Sequence, residues 1–245
     1  MYAATIGAVR ELHAWAVGAG GTLTPIGTPV SLGVSQDRLV VDPTGSFLAT
    51  GGRFGTIEIF AIGSDGGPAR APGSPHSGYT GYGLAFTPLG DRLLIAGPSG
   101  VYVFDLDTSG GITPVAGGPF TVNTTGGPFP DLMEWVAVHP NGRCVTAVGG
   151  SDAVGRTAVY MFTMDAATGA LTPVGAPLHV FDENSIDVAM LEDGSHVLMF
   201  NVFTGSIAFV AIDEATCTTS IPTGSPLAVP TDRGGYASMA ARLAP

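Results

Sequence analysis

Apolar residues along this chain come in short runs separated by turns built on Pro and Gly. Trp135 to Val148 (WVAVHPNGRCVTAV) shows the pattern most clearly: an apolar run, a turn on Pro140 and Gly142, and a second run of small and β-branched residues. That pattern predicts a β-hairpin. It recurs at Leu39 to Thr50 (LVVDPTGSFLAT), at Leu84 to Ala96 (LAFTPLGDRLLIA) and, with its proline lost, at Val188 to Phe200 (VAMLEDGSHVLMF).

A second motif follows each hairpin. At Ala158 to Pro177 (AVYMFTMDAATGALTPVGAP) an alternating strand leads through a turn into a Leu-Thr-Pro-Val strand, and the same motif returns at Val101 to Pro119 and, more loosely, at Ile57 to Pro75 and Ile207 to Pro226. It also opens the chain at Leu12 to Pro29. Together the motifs predict four strands per repeat, and repeats of about 40–50 residues with four strands each are the mark of propeller blades. The ends supply the rest of the count. Met1 to Gly7 resembles the second strand of a hairpin, and Tyr236 to Pro245 resembles a first strand up to its turn proline. The sequence therefore predicts an all-β fold: a five-bladed β-propeller of four-stranded blades, its ring closed by N- and C-terminal strands sharing one blade. The single domain spans 1–245, with one blade shared by 1–33 and 234–245 and the others at about 34–78, 79–127, 128–181 and 182–233.

Within the blades, Val41, Phe86, Val138, Met190 and Leu243 fall at one repeat position and Leu39, Leu84, Val136, Val188 and Ala241 at another. Both rows are expected to be core. The row between them is small except at Arg242. Because successive strands run antiparallel, the A–B and C–D turns lie on one face and are short and rich in Asp, Gly and Pro. The B–C and D–A connections lie on the opposite face. These vary in length and hold most of the unusual polar residues, so binding is expected there.

Composition agrees with this reading. With 37 Gly, 19 Pro and 12% charged residues, the chain suits a compact, turn-rich β protein. The absence of a long apolar run or a basic-then-apolar leader predicts a soluble, cytoplasmic protein. A net charge of −11 and no basic stripe argue against nucleic acid and membrane surfaces as partners. Cys144 and Cys217 fall in different blades without metal or redox spacing and are expected to be two separate thiols. Asn123-Thr124-Thr125 fits a glycosylation sequon, relevant only on a secretory route.

The D-P-x-G or H-P-x-G hairpin, the aromatic-rich strand, D-x-x-T-G-x-L-T-P-V and the G-x-P exit resemble the lactonase-like propellers: the propeller-type 6-phosphogluconolactonases, carboxymuconate cyclases and YVTN-type repeats. The match is best at Val136 to Pro177, good at Leu84 to Pro119 and weakest in the last full blade. The family is usually seven-bladed, against five counted here. The resemblance implies a small-molecule substrate and lactone hydrolysis, or the related cyclisation or isomerisation, in an axial pocket. The alternative is a non-catalytic propeller that binds a ligand or protein, with the Phe120 to Glu134 loop as its exposed element.

Aligning the repeats brings the entrances of the inner strands to one mouth. Glu134, Asp187 and Asp37 supply acid and base, and Arg38 supplies a cation for a developing oxyanion. Tyr82, Trp135, Tyr236, His76 and His179 are the candidate substrate contacts, with Ser238 near the last entrance. His179 to Asp187 (HVFDENSID) is the most acidic short stretch. No cofactor is expected. A carboxylate-bound divalent cation is the one exception kept open, while a transition-metal set from His76, His179, Asp131 and Asp182 has no supporting spacing. Neither a phosphate-cradling glycine loop nor a G-x-S-x-G elbow occurs.

Overall fold

The computed structural model describes residues 1–5, 7–36, 38–122, 132–150, 156–182, 187–201 and 204–228. They form five antiparallel sheets, stacked side by side as the blades of a β-propeller. Blade 1 contains Tyr2–Ala4, Glu11–Val17 and Leu23–Pro25. Blade 2 runs Arg38–Val41, Phe47–Gly51, Thr56–Ile62, Pro68–Arg70, and blade 3 runs Gly83–Phe86, Arg92–Gly97, Gly100–Leu106, Ile112–Pro114. Blade 4 is Leu132–Val138, Cys144–Gly150, Thr157–Met164, Leu171–Pro173, and blade 5 is Asp187–Met190, His196–Asn201, Ser206–Asp213, Thr218–Ser220. The segment 234–245, expected from the sequence to share blade 1, lies outside the described residues. No described helix is long and apolar enough to cross a membrane.

The hairpins form where the repeat glycines allow them. Gly45, Gly90, Gly142 and Gly194 all adopt φ between 70° and 74°, which a side chain would disfavour. The outermost strand of a blade comes in two pieces. In blade 2, Pro68–Arg70 pairs with one half of the third strand and His76–Ser77 with the other. Between the pieces the Ile59 N–H would be orphaned, and the Ser74 hydroxyl accepts it at 2.9 Å. Ser225 does the same for Phe209 N–H in blade 5 at 2.8 Å. A broken outer strand is also a poor template for pairing with another chain.

The core lies between the sheets, as four successive layers. Leu12, Leu48 and Phe60 join blade 1 to blade 2, and Ile59, Leu93 and Phe104 join blade 2 to blade 3. Met133, Tyr160 and Phe162 fill the next layer, and Val159, Met199 and Val210 the last. Each fully buried large side chain contributes about 1.5–3 kcal/mol relative to exposure. The predicted core rows hold for Leu84, Phe86 and Val136. Val41 departs from them, at 41% exposed. Between blades 1 and 2 the layer turns polar. The fully buried Glu58 carboxylate pairs with Arg70 and accepts the Gly33 N–H, tying the linker into blade 2 to that blade's third strand.

Blades 1 to 4 each also grip the C–D turn of the next one. Tyr2 Oη donates to Gly66 O at 2.8 Å. Two residues past the hairpin glycine, Phe47 lies under Gly110, whose added Cβ would stand 3.0 Å from the ring. At the same repeat position Arg92 donates to Ala166 O and Ala167 O, at 3.1 and 3.3 Å. The next occupant of that position is Cys144, and it is joined to Cys217 by a disulfide. This corrects the expectation of two separate thiols. The two residues are 73 apart in sequence, but blade stacking brings their Cα atoms to 5.3 Å, within disulfide reach.

Candidate functional site

At the face formed by the B–C and D–A connections, the entrances of three neighbouring inner strands come together. Arg38 opens the inner strand of blade 2 and donates through Nε to the backbone carbonyl of Tyr82, at the entrance of blade 3. Arg53, in the B–C loop of blade 2, stacks over the same tyrosine with its guanidinium carbon 5.9 Å from the ring centroid. An arginine over an aromatic face keeps its charge while shedding part of its hydration. Phe54 beside it is 61% exposed.

Blade 4 closes on this group from the other side. A Cβ on Gly83 would stand 2.7 Å from Trp135 Cα and 3.0 Å from Glu134 O, so only glycine allows the two inner strands to come this close. The register of Leu132–Val138 against Cys144–Gly150 skips between Met133 and Trp135, leaving Glu134 as the residue of a β-bulge. A bulge re-aims the side chain it carries, and bulges recur beside active sites for that reason. Glu134 is half-buried. The arrangement is therefore one carboxylate, two guanidiniums and a phenol on three adjoining strand entrances.

Trp135 is half-buried and packs against the core between blades 4 and 5. His76 pairs with Ile57 in the outer strand of blade 2, with Nε2 buried and unpartnered. Burial holds its imidazole below the ordinary histidine value, so it is neutral at pH 7. His179 lies exposed in the outer strand of blade 4, opposite Ala158. Asp187 begins the inner strand of blade 5, opposite Phe200. Asp37, Tyr236, Ser238, Asp131 and Asn123 lie outside the described residues. Arg53 was missed in the sequence because its significance comes from Tyr82, in a different blade. Among the described residues no group of three or more His, Cys, Asp and Glu is placed to hold a metal ion. A cleft of about 460 Å³ is lined by Ala8–Glu11 and Ser31–Leu32 and shares no lining residue with the group around Tyr82.

Both faces carry charged side chains. All nine basic residues of the chain are arginines. Arg38, Arg53 and Arg156 stand on the connection side. Asp42, Asp107, Asp165, Asp193 and Asp213 sit in the turns of the opposite face, where their carboxylates accept backbone N–H groups.

No family model and no curated protein matches this chain. Among solved structures it is similar to the periplasmic gluconolactonase PpgL of Pseudomonas aeruginosa, at 16% identity over 92% of this chain and 67% of that one, with a TM-score of 0.69. It is equally similar, at 16% identity, to a Bacteroides uniformis protein assigned provisionally as a 6-phosphogluconolactonase, over 89% of this chain and 65% of that one, with a TM-score of 0.66. The chain thus spans about two thirds of the length of these proteins. The likeness to these two proteins is one of fold, the β-propeller.

Proposed function

We propose that the chain hydrolyses a small anionic lactone at the mouth formed by Arg38, Arg53, Tyr82 and Glu134. The observation that carries this reading is the bulge at Glu134, in the inner strand whose backbone meets Gly83, next to the entrance where Arg38 and Arg53 both meet Tyr82. Glu134 takes a proton from water as the water oxygen attacks the lactone carbonyl carbon. The resulting oxyanion is held by a guanidinium, the ring C–O bond breaks as the carbonyl re-forms, and the proton on Glu134 passes to the departing alkoxide. The second guanidinium holds the acid group of the substrate. The two guanidiniums that meet at Tyr82 support an anionic substrate, since they are the cations available to hold its acid group. The fold likeness to a gluconolactonase supports the lactone class. The reaction as written needs no cofactor, and activity is expected to survive chelation of divalent cations.

The test is base uptake at constant pH over a panel of sugar-acid lactones, with and without a phosphate or carboxylate, and of unsaturated diacids for the cyclase direction. The expected result is turnover of anionic lactones that falls at least 100-fold in Glu134→Gln and Arg38→Met. If the wild-type chain does no better than the double variant on every compound, this reading fails. The propeller is then a binding module, for which exposed Phe54 beside Arg53 is the starting contact.

A further inference from the structure

The Cys144–Cys217 bond occupies a place that the repeat defines elsewhere. Position two after the hairpin glycine holds Phe47, Arg92 and Cys144 in three successive blades, and each lies under the C–D turn of the blade that follows. The residues above them are Gly110, Gly169 and Cys217, all at positive φ, at 86°, 74° and 54°. Cys217 is the one non-glycine residue in that conformation among the described residues. A side chain where the repeat uses glycine carries a steric penalty, and nothing in the local turn requires one. The partner below explains it: both cysteines are fully buried and their sulfurs are bonded. Arg143 Nη2 donates to Glu214 O at 2.8 Å across the same boundary, so turn and strand are already in register for the bond.

We infer that this disulfide is an oxidative clasp that fastens blade 5 to blade 4, and that the chain reaches its full stability only in an oxidising compartment. Disulfides persist in such compartments and are rare in a reducing cytosol. This inference replaces the cytoplasmic location expected from the sequence. Closure joins the two Sγ atoms, releases two protons and passes two electrons to a protein disulfide, which leaves the exchange as a dithiol. The bond closes a 73-residue loop that contains the start of blade 5, so its entropic effect on the unfolded chain is large.

The full chain should be made both exported to a bacterial periplasm and retained in a reducing cytosol. Thiols are then counted by mass after alkylation in denaturant, and each preparation is melted with and without dithiothreitol. The expected result is no free thiol in exported protein, two in cytosolic protein, and a melting point about 10 °C higher when the bond is closed. Limited proteolysis of the reduced chain should cut first within 187–228. A Cys144→Ser, Cys217→Gly variant restores the repeat's own glycine and relieves the turn, so its melting should match the reduced wild type and ignore dithiothreitol. Two free thiols in the exported chain, or coincident melting of oxidised and reduced protein, would overturn the inference.

Discussion

Gly83 and Trp135 meet backbone to backbone: a methyl group on Gly83 would stand 2.7 Å from Trp135 Cα, closer than real carbon atoms approach. The obstacle is main chain, which cannot swing aside as a flexible side chain would. Gly83→Ala must therefore push the inner strands of blades 3 and 4 apart. Urea unfolding is expected to show a loss of about 1–3 kcal/mol. Because Tyr82 and Glu134 adjoin the contact, turnover should fall more than stability does, and wild-type kcat/KM in a destabilised Gly83→Ala would show that the site does not depend on this approach.

The two arginines on Tyr82 should differ kinetically. Arg53 reaches it from a loop and Arg38 from a strand end. Arg53→Met is expected to raise KM about tenfold with kcat near wild type, the behaviour of a group that binds substrate and transition state alike. Arg38→Met should lower kcat. The split is read from initial rates on whichever lactone the wild type turns over.

His76 follows the exit proline of blade 2, where other blades have Val30, Phe120, Leu178 and Leu227. Its Nε2 is buried without a partner, and burial lowers its pKa. A histidine whose folded pKa lies below the unfolded value of 6.5 gives no pH dependence above that value. As the pH drops below 6.5 the unfolded chain takes up a proton that the folded chain refuses, so stability falls until the folded pKa is passed. His76→Leu should remove that slope and stabilise the protein by about 1 kcal/mol. Melting curves between pH 5 and 8 would check it, and parallel curves for wild type and variant would refute it.

The turn aspartates act at lower pH. Asp107, Asp165, Asp193 and Asp213 are held below the ordinary carboxylate value of 3.8, first by the side-chain hydroxyls of Ser109, Thr168, Ser195 and Thr216 and then by backbone N–H groups. Their contribution is complete above that value and is lost as the pH falls through their lowered folded values. Asp165→Asn should therefore melt below wild type at pH 7, with the two curves converging towards pH 2. Curves that stay equally far apart at every pH would mean that the charge of Asp165 is not what holds its turn.

The hairpins were legible because a single residue decides each one: a glycine at positive φ between two apolar runs reads the same in one dimension as in three. The L-T-P strands were legible for the same local reason. The disulfide was not, since Cys144 and Cys217 are brought together by the stacking of sheets and have no spacing that announces it. The bulge at Glu134 depends on register against Cys144–Gly150, a property of the pair of strands rather than of either one. Glu134 and Arg38 could be named from the repeat alignment alone. Arg53 needed the neighbouring blade. The break in the outer strands was also hidden, because its signal, a serine before or near the exit proline, looks like any other loop residue until the orphaned N–H of Ile59 is seen.

The grip of one blade on the next turn implies a fastening that can be moved. The same seat is filled by a phenyl ring, a guanidinium and a sulfur, each under a residue at positive φ, so the seat tolerates a change of chemistry. A cysteine pair transplanted to Arg92 and Gly169, where a Cβ at Gly169 meets chiefly the arginine side chain that the change removes, should close as the natural pair does. Non-reducing mass spectrometry of Arg92→Cys, Gly169→Cys would show it directly, and a second boundary of the ring would then be riveted like the first.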